Sequence, residues 1–198
     1  MGWRARSGCR ARCVRGASST RRRCSPRGLK VLLVGRGGGE SVNPLAGALI
    51  DSVDWSSYLV LGGPATAIGP ALRDLLSSSD VSESSVAWKQ IEEQVFSQGT
   101  IYSAAEPTVS VMVAALTEEQ PSWRNGRIVD LLFFIVRGAS ETDPTLQDRC
   151  RDRAREGLWL LARWALTHQG WERDNVLEVI EVIAPERAEM IRAALPAG

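Results

Sequence analysis

Histidine is almost missing from this chain of 198 residues: His168 stands alone. With one imidazole, and cysteines far from it, no zinc-ligand spacing forms and no cofactor or metal site is expected. As a general base His168 has nothing in sequence to pair with, so it reads as a turn or cap residue. A disulfide framework is lacking too. Cys9, Cys13 and Cys24 fall in an arginine-rich tail, and Cys150 sits on an expected helix. A reduced, cytoplasmic compartment is the default for such a set. Long apolar runs are also absent, and spanning a bilayer takes roughly 18–20 residues. The run Leu29–Val34 is shorter than the usual signal-peptide core of about 7–15 residues, and Arg21-Arg22-Arg23 is only a faint match to a twin-arginine signal. No membrane partner is expected.

What the chain does have is a sharp charge asymmetry. Residues 1–41 carry eleven Lys/Arg and one acid, Glu40, for a charge of +10, while residues 42–198 carry −9. Two physically different pieces are joined. The first has few apolar positions to offset its ordering entropy, so a disordered Arg-rich tail is expected over residues 1–41. Three readings of it stay open. One is a misplaced start, because lysine is scarce, the composition suits a GC-rich genome, and Val42 could be encoded by an alternative start codon. Another is a plain disordered tail. The third is a working arm, binding nucleic acid through its arginines or serving as a transit peptide.

The tail also holds a tempting dinucleotide signal, a strand-like Leu29–Val34 followed by Gly35-Arg36-Gly37-Gly38-Gly39. The third glycine position of the fingerprint is Glu40, whose carboxylate would repel a pyrophosphate. Pro44 follows, and the next segments are helical. The signal is rejected.

Residues 42–198 read as helices joined by short turns. Asn43 and Pro44 cap and open a helix to about Val53, followed by a loop from Trp55 to Pro64. A helix from Thr66 to Leu76 contains Gly69-Pro70, which argues for a late start or a kink. Asp80 to Ser97 begins with a capping box, Asp80 to Glu83, and puts Val86, Ile91, Val95 and Phe96 near one face. After the turn Ser97–Tyr102, Ser103–Leu116 carries Val109, Met112, Val113 and Leu116. Arg124–Gly138 carries Ile128, Leu131, Leu132, Ile135 and Val136. Gly99 and Gly138 both fall where a helix end favours a left-handed residue.

Thr142-Asp143-Pro144 starts what reads as the longest helix, running to about Leu166. Its arginines 149, 151, 153 and 155 interleave with acids and read as a solvated, mutually paired face. Nearly every residue of Gly157–Leu166 is apolar, which predicts a helix surrounded on most sides. Two more helices follow, one lined by Val176, Leu177, Ile180 and Ile183, the other after Pro185 with Met190, Ile191 and Leu195. Short connections between amphipathic helices force antiparallel neighbours. The expected fold is all-α, about seven to eight helices, with no sheet.

The block Trp88–Leu116 resembles bacterial HEAT-like repeat proteins. It links two helices through Gln98-Gly99-Thr100-Ile101-Tyr102 and opens the second with Ala104-Ala105-Glu106-Pro107-Thr108-Val109. Arg149–Leu158 is similar to that group's next helix start, and the match runs over roughly Asp54–Leu195. Ser97 stands where the group has a histidine and Ser110 where it has a second proline, so no role of that histidine carries over. The resemblance implies a HEAT-like α-solenoid over residues 42–198 that acts as a scaffold or binding protein, immunity against toxins being one setting for such proteins.

Candidate interaction residues are Trp55, Trp88 and Trp123, each near a loop and one or another of them expected to be partly exposed, with Gln98 and Tyr102 in the turn. The structural alternative for the last two is packing between helices and capping of a carbonyl. Glu92-Glu93 and Glu178/Glu181 are paired acids without metal-ligand histidines and read as surface groups. No catalytic residue is identified. The expected function is non-enzymatic binding of a basic protein partner, with no nucleic acid, because a −9 surface has the wrong sign for phosphate. The alternative is a DNA-binding enzyme resembling the HEAT-like alkylpurine DNA glycosylases, which need a basic concave face.

Overall fold

A computed structural model describes residues 42–195. The expectations for the tail, the strand-like Leu29–Val34 and the Gly35–Gly39 loop lie outside the described residues.

Nine helices run along the described chain. Helix α1 (Pro44–Ser52) starts as expected, with Asn43 Oδ1 accepting from the backbone of Leu45 and Ala46 at 2.9 and 3.0 Å. Helix α2 (Ile68–Ser77) starts late, which places Pro70 in the first turn where its missing N–H costs nothing. Gly69 is there for space, since a Cβ would lie 2.8 Å from Trp55 Nε1. Helix α3 (Val81–Val95) is capped by Asp80, while Glu83 reaches back to the backbone of Ser79 at 2.9 Å. Helices α4 (Ala105–Ala115), α5 (Ser122–Arg137), α6 (Leu146–Glu156), α7 (Leu158–Thr167), α8 (Trp171–Ile183) and α9 (Pro185–Ala193) complete the set. No helix among the described residues is long and apolar enough to cross a membrane.

The packing falls into two rows. Helix α4 lies against α1 and α6, whereas α5 lies against α3 and α8. Helix α2 packs on α3, and both α7 and α9 pack on α8. Between the rows Ile91, Val95, Val109, Met112, Ile128, Leu131, Leu132 and Ile135 are wholly buried. Each such aliphatic side chain is worth about 1.5–3 kcal/mol of apolar transfer, which is why the helical periodicity of these segments shows so clearly in the sequence.

Several expectations need correction. Sheet is present, as two short hairpins, β1 (Leu59–Val60) with β2 (Gly63–Pro64) and β3 (Phe96–Ser97) with β4 (Thr100–Ile101). The segment Ser97–Tyr102 closes on Gln98 and Gly99 at φ 50° and 89°, the left-handed pair that a two-residue hairpin needs. Gly138 is extended instead of left-handed, at φ −66° and ψ 152°. It is glycine because a Cβ there would collide with Ile101 Cγ2. The expected long helix breaks at Gly157, giving nine helices among the described residues against the expected seven to eight. A Cβ at Gly157 would lie 2.8 Å from Val113 Cγ1, so the break sits where α6 and α4 touch. Helix α7 is not surrounded, since Trp159 and Leu166 face solvent. Val86, assigned to the apolar face of α3, is 72 % exposed, and Met190 is exposed as well.

Candidate interaction surface

The two hairpins line up along the edge where helices turn back. Ile101 donates its N–H to Ala139 O, and Ala139 donates to Gly99 O, both at 2.9 Å, so the chain after α5 joins the second hairpin. The first hairpin is tied to the α3–α4 junction. Leu59 N–H donates to Ser103 Oγ at 2.7 Å, Ala104 N–H to Leu59 O at 3.1 Å, and Leu61 N–H to Gln94 O at 2.9 Å. With these backbone groups satisfied, the strand is held in place and its side chains alternate. Val60 points into the core, while Leu59 and Leu61 stand 58 % and 52 % exposed.

The expected site residues divide around this edge. Gln98 is exposed at the tip of the second hairpin, and Tyr102 is half-buried beside Ser103, its N–H donating to Val95 O at 3.2 Å. Trp88 is half-buried elsewhere, bridging α3 to α5. Its Nε1 donates to Arg127 O at 3.2 Å, and the Arg127 guanidinium lies 5.2 Å from its ring centroid. Trp123 is half-buried under the Arg124 guanidinium at 5.0 Å. Of the three tryptophans Trp55 is the one without partial exposure: it is buried and donates from Nε1 to Ile50 O at 3.0 Å. Gln98 and Tyr102 thus sit at the tip and the base of one hairpin, while Trp55, Trp88 and Trp123 sit on other elements. The structure also adds Leu59 and Leu61, which Gly62-Gly63-Pro64 had disguised as loop. Their signal was the alternation Leu59, Val60, Leu61 before the glycines.

The charges of α6 form the partly solvated, mutually paired face expected from the sequence, Arg151 pairing with Asp148 and Arg155 with Asp152. Arg149 pairs with Glu106 and Asp143, each at 2.8 Å, and Arg153 with Glu106 at 3.5 Å and Glu156 at 2.9 Å. Arg151 donates to Val136 O at 3.0 Å and Arg155 to Ile183 O at 2.6 Å. Hydrogen bonds from Arg149 and then from Thr145 hold the Asp143 carboxyl down at about 2. Cys150 beneath them is fully buried, and burial, helped by the Glu106 carboxylate and opposed by Arg149, pushes its thiol up to about 12. Burial also raises Asp130, against a 2.9 Å hydrogen bond from Asn175 and the charge of Arg127.

Two cavities open beside α4, of about 530 and 320 Å³. The larger lies between α1 and α4, and the smaller runs from the α4–α5 turn to the end of α7. Trp164 Nε1 and Asn125 Oδ1, on residues lining the smaller one, are buried with no hydrogen-bond partner. Each such orphan costs about 1–3 kcal/mol. His168 closes the end of α7, with Nδ1 3.1 Å from Trp164 O and 3.0 Å from Thr167 Oγ1. Of the acid pairs, Glu93 meets Lys89, Glu178 meets Arg137 and Glu181 meets Arg192 across the surface. No three metal-ligating side chains cluster among the described residues. No family model matches the chain, and no curated protein or solved structure matches it significantly.

Proposed function

We propose that the chain is a non-enzymatic protein-binding module, a HEAT-like α-solenoid that recognises a basic partner in the cytoplasm. The observation that carries this reading is the pair Leu59 and Leu61, held outward on a hairpin whose backbone is hydrogen-bonded to Ser103, Ala104 and Gln94. Exposed leucines on a fixed backbone lose little entropy when a partner covers them. The two helical rows, α1–α4–α6 and α3–α5–α8, suit a stack in which each helix pair leans on the next. The excess of carboxylates over residues 42–198 attracts positive charge and speeds encounter at low salt.

The competing reading, a DNA-directed enzyme resembling the HEAT-like alkylpurine DNA glycosylases, needs free cations for phosphate. The four arginines of α6 are engaged by neighbouring carboxylates and carbonyls, which weighs against it. Affinity capture with the full chain and with Leu59→Ser/Leu61→Ser tests the proposal. A partner lost with the double variant is expected. Base release from alkylated DNA by the full chain would replace the module with the enzyme.

A further inference from the structure

The two cavities beside α4 share Thr117 and Leu160, so they form one groove. Its larger end is apolar, with Leu45 and Leu49 of α1 and Val53 just past its end facing Pro107, Val111 and Ala114 of α4. At about 530 Å³ it falls within the range of ligand pockets and holds a bulky side chain with room left over. Its charged lining is four carboxylates, Glu106, Glu156, Glu118 and Glu119, against Arg153 and Arg163. Arg153 is held between Glu106 and Glu156, which leaves Glu118 and Glu119 against Arg163 at the smaller end, so that end favours a cation.

We propose that this groove takes a short peptide segment of a partner protein, seating an apolar side chain between α1 and α4 and a basic one at Glu118–Glu119. The inference rests on the reading of the chain as a protein-binding module but uses a different surface from the Leu59–Leu61 edge. Peptide is favoured over a small apolar molecule by the mixed lining, apolar between α1 and α4 and acidic at Glu118 and Glu119, which suits an apolar and a basic side chain on one short segment.

The test is fluorescence anisotropy of the full chain with three fluorescein-labelled amphipathic peptides, of Leu/Lys, Leu/Gln and Ser/Lys composition. Leu/Lys is expected to bind, and the other two about tenfold more weakly, because each lacks one of the two complementary features. Ser110→Trp, which fills the groove from α4, should weaken Leu/Lys binding by at least about tenfold. Glu118→Lys/Glu119→Lys changes only exposed side chains, so it should fold even if the tryptophan variant does not. It should weaken binding several-fold and flatten the salt dependence.

Equal binding of all three peptides, no binding of Leu/Lys up to about 1 mM, or Leu/Lys binding indifferent to the charge reversal would overturn the proposal. So would a groove that takes the dye anilinonaphthalene sulfonate and is not cleared by the peptide, which would mark a small-molecule site. Self-association abolished by Ser110→Trp would assign the groove to a second copy. Partner capture through Leu59 and Leu61 could survive any of these results, which keeps failure of the groove separate from failure of the module.

Discussion

Arg149 on α6 reaches across to α4 and donates from Nε to Glu106 Oε2 at 2.8 Å. Glu106 Oε1 meets Arg153 at 3.5 Å, so one carboxylate from the first turn of α4 anchors two of the α6 arginines. The Glu106 side chain is only 21 % exposed. Replacing it by Gln is expected to cost about 1 kcal/mol, because the guanidiniums keep other partners and stay partly solvated. In a protein of this size that is a fall of roughly 2–4 °C in Tm, measurable by differential scanning calorimetry. No change would mean the contact is ornamental to the α4–α6 interface.

Gly138→Ala should be costly where Gly47→Ala is mild. At position 138 the new methyl meets Ile101 and Phe96, whereas at 47 its nearest neighbour is Val42 at 3.8 Å. Overpacking of this kind costs about 1–3 kcal/mol. Urea midpoints for the two variants measure the difference, and equal midpoints would contradict the close packing of the second hairpin on the end of α5.

The Asp143 carboxyl, held at about 2 against an ordinary 3.8, makes acid stability depend on Arg149 and Thr145. A depressed acid contributes stability that is present above its unfolded value and lost as pH falls through its folded value. The window is therefore about pH 4 down to 2. Unfolding titrations across it should show a steeper loss for the wild-type chain than for Asp143→Asn. Parallel curves would remove Asp143 from the account.

Cys150 runs the other way. A thiol raised to about 12 contributes stability that is intact below pH 9 and lost as pH climbs toward 12. At pH 8 the native thiol should resist iodoacetamide, and peptide mapping should find it labelled only in urea. Labelling of native Cys150 at the rate of a free thiol would mean α6 opens readily.

The helices were legible because their buried faces repeat at helical spacing. Ile128, Leu131, Leu132, Ile135 and Val136 were assigned to the core from the pattern alone, and each is wholly buried. What the pattern could not show was tertiary. Gly157, where the helical pattern breaks, leaves no room for a Cβ because Val113, 44 residues away in sequence, lies against it. Leu59 and Leu61 were hidden because a two-residue strand is too short to display a period. Nothing near Trp55 in sequence distinguishes it from Trp88 and Trp123, yet it alone of the three is buried, because Gly69 makes room for its ring. Local spacing carries the helices, and distant contacts decide the turns, the hairpins and the surface.

The central claim is that a basic protein partner is held through the hairpin edge. Its most direct test is quantitative affinity capture from the native host lysate at about 50 and 300 mM salt, with the full chain and Leu59→Ser/Leu61→Ser as baits. Both leucines are exposed, so the double variant should keep its stability to within about 0.5 kcal/mol. The expected result is a basic protein enriched by the wild-type chain, weakened at high salt and lost with the variant. Capture of the same protein equally well by both baits, at either salt concentration, would contradict the account.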